Sequence, residues 1–362
     1  MLAGHLVSIC SWKVGEVVEL RRHGSALLLA LAPFALTPAA AQTVADFYRG
    51  KTVTISVGLS AGGGYDLHAR VLAKYLGRHL PGAPAVVVKN APGAGGLTLV
   101  NALYSSIARD GTELATFERG ILLEPLLDPA QARFDPLRLS FVGSTDNDAS
   151  TCLSWHTAAV KTMEDVFRQE LIVGGTGSTA IANTFPRVLN AVLGTKFRVI
   201  PGYPGANDAL LAMERGETQG FCSLGFSTLE AIRPGWMRDH KVNVFVQLAL
   251  QKSREHLEVP LALDFAKTAA DRQALELIVS PNLFARPFAA PPGIPADRLA
   301  ALRQAFDETM ADPDYLGEAK ARELHIERVT GADLDQVLRH IYATPPEIVA
   351  RVRNAVNEGV QR

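Results

Sequence analysis

The stretch Val53-Thr54-Ile55-Ser56-Val57-Gly58-Leu59-Ser60-Ala61-Gly62-Gly63-Gly64-Tyr65-Asp66 passes from an alternating β-branched segment, through a glycine-rich turn, into a helical pattern that continues to Leu80. Val53, Ile55 and Val57 predict a strand, and the glycines predict a tight joint that opens a helix at about Asp66. The same unit recurs downstream. Val86 to Lys89 predict a second strand, followed by the turn Asn90-Ala91-Pro92-Gly93-Ala94-Gly95-Gly96 and a helix from about Gly96 to Ile107. Further strands are expected at Glu113–Phe117, Phe141–Gly143, Leu171–Val173, Phe197–Ile200, Gln219–Cys222 and Val242–Leu248. Leu171–Val173 feeds a third glycine joint, Gly174-Gly175-Thr176-Gly177-Ser178-Thr179, and a helix to Leu193. Strands alternating with helices point to an α/β fold with largely parallel sheets.

After Phe288-Ala289-Ala290-Pro291-Pro292-Gly293-Ile294-Pro295, which reads as an extended link, the pattern becomes helical. Leu299, Leu302, Phe306 and Met310 share one face; Leu334, Leu338 and Ile341, then Ile348, Val352 and Val356, mark two more amphipathic helices.

At the other end, Arg21 and Arg22 precede an apolar run from Ala26 to Leu36, then Thr37-Pro38 and Ala39-Ala40-Ala41. Charge, short apolar run and small residues in that order predict a secretory signal peptide over 1–41, with the mature chain starting at Gln42. The 362-residue chain carries 36 Lys and Arg against 37 Asp and Glu, so bulk charge offers no footprint for nucleic acid. Three cysteines are too few for a disulfide scaffold, and none stands in zinc-site spacing, so no metal is expected. Cys10 leaves with the signal. Cys152 and Cys222 remain as an even pair in an oxidising compartment, either bridged or held as two buried thiols.

Each glycine joint points helix-terminal N–H groups at the carboxyl edge of a sheet, which suits an anion. No joint is followed by Lys-Ser/Thr, and none reads G-x-G-x-x-G with an acidic residue about 20 positions on, so nucleotides are disfavoured. A carboxylate fits, because backbone N–H groups and hydroxyls bind it without a buried counter-charge. Gly58-Leu59-Ser60-Ala61-Gly62 also matches G-x-S-x-G after a strand, which keeps a secreted serine hydrolase as the alternative. Only 18 mature residues precede Ser60, leaving no room for the strands and oxyanion loop such an enzyme needs.

At these joints the sequence resembles the Bug-type periplasmic solute-binding receptors of tripartite tricarboxylate transporters, over about Lys51 to Val356. Ala61 to Asp66 is similar to the family's Pro-Gly-Gly-Gly-Thr-Asp loop, and Asn90 to Gly96 to its Asn-Arg-Pro-Gly-Ala-Gly-Gly loop. Asp110-Gly111 matches its Pro-Asp-Gly-Tyr turn, while Pro201 to Gly205 and Gly216 to Gly220 resemble a loop and a strand entry of its second lobe. Ala61 replaces the usual proline, an extra residue sits in Gly202-Tyr203-Pro204, and Asn183 stands where a histidine is common. The resemblance implies a type II periplasmic-binding fold. It places lobe 1 at 42–147 and 250–362 and lobe 2 at 148–249, with crossings near Ser144–Thr151 and Gln247–Gln251. It further implies a non-enzymatic, monomeric periplasmic receptor without cofactor, delivering a small carboxylate to a large and a small integral-membrane permease subunit.

The expected ligand set is Ser60, Gly62, Gly63, Gly64, Tyr65, Asp66, Gly95, Arg119, Thr176, Gly177, Ser178, Thr179, Tyr203, Gly205 and Ser223. Within it Arg119 is either a bidentate carboxylate clamp or a surface arginine. Asp66 either caps its helix or meets an amine, and Tyr65 and Tyr203 either wall the pocket or pack.

Overall fold

The computed structural model describes residues 42–147, 149–176 and 180–358; the expected signal peptide and Gly177, Ser178 and Thr179 lie outside them. Strands β1 (Thr52–Val57), β2 (Ala85–Asn90), β3 (Glu113–Thr116), β4 (Ser140–Ser144), β10 (Pro287–Ala290) and β11 (Val329–Thr330) form one sheet. Its order is β11-β4-β10-β3-β1-β2. Strands β5 (Ser150–Trp155), β6 (Leu171–Gly174), β7 (Phe197–Ile200), β8 (Gly220–Gly225) and β9 (Val242–Leu248) form the other, ordered β7-β6-β8-β5-β9. Val53, Ile55 and Val57 are fully buried because β1 is an inner strand with helices against it.

The sheets are mixed rather than largely parallel. β1 pairs in parallel with β2 and β3, and β6 with β7 and β8; β10, β11 and β5 are antiparallel to their partners. The exceptions arise where the chain changes sheet. β5 enters the second sheet directly from β4 of the first, with no helix between them, and lies between β8 and β9, antiparallel to both. β10 enters the first sheet between β3 and β4. It is the segment read from sequence as the start of a link, and Pro287 is tolerated as a first strand residue.

The first crossing runs between β4 and β5, and after β9 the chain stays with the second sheet for a further stretch. Leu261 bridges Gln247 of β9, the turn Ala262–Phe265 packs on β9, and the helix Ala269–Val279 packs on the helix Ile181–Leu193. Residues 261–279 therefore accompany the second sheet, and the chain returns through Pro281–Arg286. The crossings lie side by side: Ala285 N–H donates to Asp146 O at 2.8 Å, and Thr145 N–H donates to Arg286 O at 3.3 Å.

Leu302 and Phe306 of the helix Ala296–Ala311 are buried against the first sheet's layer. The last helix, Pro346–Glu358, packs on Glu124–Leu127, on Ile181–Leu193 and on Ala269–Val279, so one apolar cluster runs through both halves. Cys152 and Cys222 stand opposite each other in the β5–β8 register and are disulfide-bonded, both fully buried. No helix among the described residues is long and apolar enough to cross a membrane.

Candidate functional site

A cleft of about 550 Å³ of atom-free space, mouth included, opens where the two sheets' loops meet. The first sheet contributes Leu59, Ser60, Gly63, Gly64 and Tyr65 around the glycine joint, and Glu118 with Arg119 just past β3. The second contributes Thr176, Ile181, Gly205 and residues at the end of β8; Arg286 enters from the second crossing. Two long helices begin on this cleft without a side-chain cap: Gly64–His79 after Gly63, and Ala206–Glu214 after Gly205. Their first-turn N–H groups have no partner within the helix, so both ends favour an anion.

Three ionisable side chains give the cleft its charge. Glu118 is buried, and its Oε2 accepts from Gly120 N–H at 3.0 Å and from Ile181 N–H at 3.4 Å, which caps the helix Ile181–Leu193 from the other sheet. Burial raises its pKa from 4.5 to about 7, against the opposing pull of Arg119 and the two N–H donors. Arg286 donates from Nη2 to Thr228 Oγ1 at 2.6 Å and from Nη1 to Ala285 O at 2.9 Å, and its guanidinium stacks 4.6 Å from the centroid of Tyr65. Its buried Nε has no partner among the described residues. Arg119 donates to Asn282 Oδ1, to Ser150 Oγ and, at 3.3 Å, to Ala285 O. It therefore ties both crossings together, being neither a surface arginine nor an open clamp.

Most of the expected residues are brought together, and several are redirected. Ser60, Gly63, Gly64, Tyr65, Arg119, Thr176, Gly205 and Ser223 line the cleft. Ser60 Oγ donates to Asp208 Oδ2 of the opposite half at 3.2 Å, so the hydroxyl bridges the halves and is not paired with an imidazole, as a nucleophile would be. Asp66 lies off the cleft lining: its carboxylate accepts from Gly62 N–H, Arg70 Nε and Asn90 Nδ2, each at 2.9 Å. Gly62 turns at φ +81° to donate that bond and stays off the cleft lining.

Gly95 also leaves the site. The second glycine joint packs under β1, where a Cβ on Gly58 would lie 2.7 Å from Gly96 Cα, so glycine there serves close backbone approach. Tyr203 lays its ring against Gly174 and donates its N–H to Gly175 O at 3.1 Å, outside the lining.

The sequence reading missed Glu118 and Arg286 as site residues. Glu118 was within reach, because it follows a predicted strand at the edge where ligands gather. Arg286 carried no local signal, since only the late crossing brings it to the cleft. Ser223 holds φ +126°, a strained value for a residue with a side chain, at the cleft wall.

Two mixed sheets with helices, joined by paired crossings above a cleft rimmed by helix N-termini, define the two-lobed fold of periplasmic solute-binding proteins. No protein-family model matches the chain. A UPF0065 protein of Agrobacterium vitis is 27% identical over 223 residues, covering 60% of this chain and 63%, less than two thirds, of that one. A UPF0065 protein of Cupriavidus necator is 24% identical over 308 residues, covering 82% and 86%. Among solved structures, MatC of Rhodopseudomonas palustris with bound malate superposes with a TM-score of 0.64 at 19% identity, covering 84% of this chain and 99% of that one. The periplasmic binding protein BugD gives 0.62 at 18%, covering 87% and 97%. An R. palustris protein with adipate gives 0.65 at 14%, covering 83% and 97%. The chain is thus a relative of the UPF0065 proteins, with the two-lobed fold of the Bug-type solute-binding proteins.

Proposed function

We propose that the chain is a periplasmic receptor that captures a small organic carboxylate between its lobes and delivers it to a large and a small integral-membrane permease subunit. One observation carries the reading: two uncapped helix N-termini, one from each lobe, begin on the cleft that the guanidinium-bearing Arg286 also lines. A carboxylate is favoured by both helix ends and by the charge of the guanidinium. The malate and adipate held by two structural neighbours are acids of this class. Export rests on the signal-peptide pattern of 1–41, and on this reading the mature chain starts at Gln42 and works as a monomer without catalysis.

The test is a thermal-shift screen of the mature protein against mono-, di- and tricarboxylates, aromatic ones included. A ligand at 100 times its Kd adds about 2.7 kcal/mol to stability and raises Tm visibly. A panel in which no carboxylate moves Tm contradicts the substrate class.

A further inference from the structure

Strand β8 departs from simple alternation where it meets the cleft. Against β5 its register runs Ser150–Gly225 and Thr151–Leu224, then Cys152–Cys222, Leu153–Phe221 and Ser154–Gly220. Ser223 is passed over and stands as the extra residue of a β-bulge. Strict alternation would put Phe221 and Ser223 on one face and Cys222 with Leu224 on the other. Instead Phe221 and Leu224 are buried in the same apolar cluster and both line the cleft, while Cys222 belongs to the other cluster. Ser223, half-buried, lines the cleft between them.

This arrangement carries a backbone cost, because Ser223 takes φ +126°, a region that a residue with a Cβ rarely adopts. Re-pairing by one residue would move the bulge off Ser223 and turn the side chain it passes to the opposite face. Two sets of contacts oppose that. Toward Phe221 the slide is blocked by the disulfide, since Cys152 would then stand opposite Ser223 instead of Cys222. Toward Leu224 it is opposed by hydrogen bonds: Thr151 Oγ1 donates to Leu224 O at 2.7 Å, and Ser150 Oγ to Ser223 O at 3.3 Å.

We propose that the Cys152–Cys222 bridge is a positioning element of the binding site: it pins the bulge at Ser223 and so fixes which side chains of β8 face the ligand. This rests on the carboxylate-receptor reading above, in which the cleft is the binding site, and adds a covalent determinant of the cleft's shape. Both cysteines are fully buried and lie outside the lining, so the bridge acts through Ser223 and Leu224. Glycine adopts positive φ at no steric cost, so Ser223→Gly keeps the bulge in place without the bridge.

The bridge is removed from the mature protein in two ways, by Cys152→Ala with Cys222→Ala and by refolding and holding the chain under dithiothreitol. Each form is compared with and without Ser223→Gly. Calorimetric titration with malate and with adipate, well below Tm, reads the site. Where Ser223 is kept, loss of the bridge weakens binding at least tenfold; in the Ser223→Gly background it weakens binding less than threefold. A bridge that only adds stability lowers Tm and leaves both affinities unchanged, and that result overturns the inference. An equal loss of affinity in the two backgrounds overturns it as well. Thermal unfolding supplies a readout that needs no ligand: Ser223→Gly raises Tm by several degrees in the bridged protein, where the strain is held, and by less than half as much in the unbridged one. Equal gains overturn the inference. If neither acid binds the bridged wild type, the carboxylate reading fails for these probes, and the Tm comparison alone decides the role of the bridge at Ser223.

Discussion

Glu118 and His68 give the empty protein opposite pH signatures. The folded Glu118 holds its proton to about pH 7, whereas an unfolded glutamate releases it near 4.5, so the native state binds more protons in between. Its contribution to stability is full below about pH 4.5 and is lost as pH rises to 7. Denaturant unfolding of Glu118→Gln and wild type at steps of pH should show the variant gaining relative stability from pH 5 to 7.5. His68 runs the other way. Burial, and then the charge of Arg286, lower its pKa from 6.5 to about 3 against the pull of Asp146, so the native ring is neutral. That contribution is present above pH 6.5 and is lost as pH falls toward 3, and in NMR spectra the His68 ring should not titrate between pH 5 and 8. At Ser60, removal of the hydroxyl costs one bond to Asp208 across the cleft. Ser60→Ala should weaken ligand binding by about 0.5–1.5 kcal/mol and leave ester hydrolysis at the background rate.

Among the elements, the strand–glycine–helix joints were legible in sequence because glycine at the end of a β-branched run has few uses other than close approach. Which joints face the ligand was not legible. Asn90 to Gly96 and Ser60 to Asp66 look alike locally, and only the packing of Gly58 on Gly96 assigns the former to structure. The helix Ala269–Val279 and strand β10 were missed for related reasons. The helix follows a turn that keeps it with the second sheet, and the proline run masks the buried Phe288, Ala289 and Ala290. Arg119 sits at the strand end where a ligand clamp belongs, yet the crossings capture it, a long-range outcome that local pattern does not contain. Arg119→Met should remove the guanidinium bonds to Asn282 and Ser150 from a buried position and lower stability by about 3 kcal/mol in urea unfolding. The Cys152–Cys222 bridge closes a 70-residue separation, and its removal by Cys152→Ala with Cys222→Ala should cost about 2–4 kcal/mol in the same assay.

For the whole molecule, ligand capture on the proposed function depends on how closely the two halves approach. Ser60 to Asp208, Glu118 to Ile181 and Arg286 to Thr228 are the polar contacts that bring loop, crossing and helix ends together around the cleft. A ligand held by groups of both lobes binds the closed arrangement more tightly than the open one and shifts the population toward it. Gly64 stands at the tightest point: a Cβ there would lie 2.8 Å from Thr228 Cγ2 and 3.0 Å from Arg286 Nη2. The side chain of Gly64→Val therefore wedges the halves apart and blocks approach to the helix N-terminus, while the cores of the two sheets are untouched. Calorimetric titration of wild type and Gly64→Val, with the carboxylate that raises Tm most, tests the account at its centre. We expect at least a hundredfold loss of affinity in the variant with the unliganded Tm within a few degrees of wild type; a folded Gly64→Val that binds as tightly as wild type would contradict the proposed site.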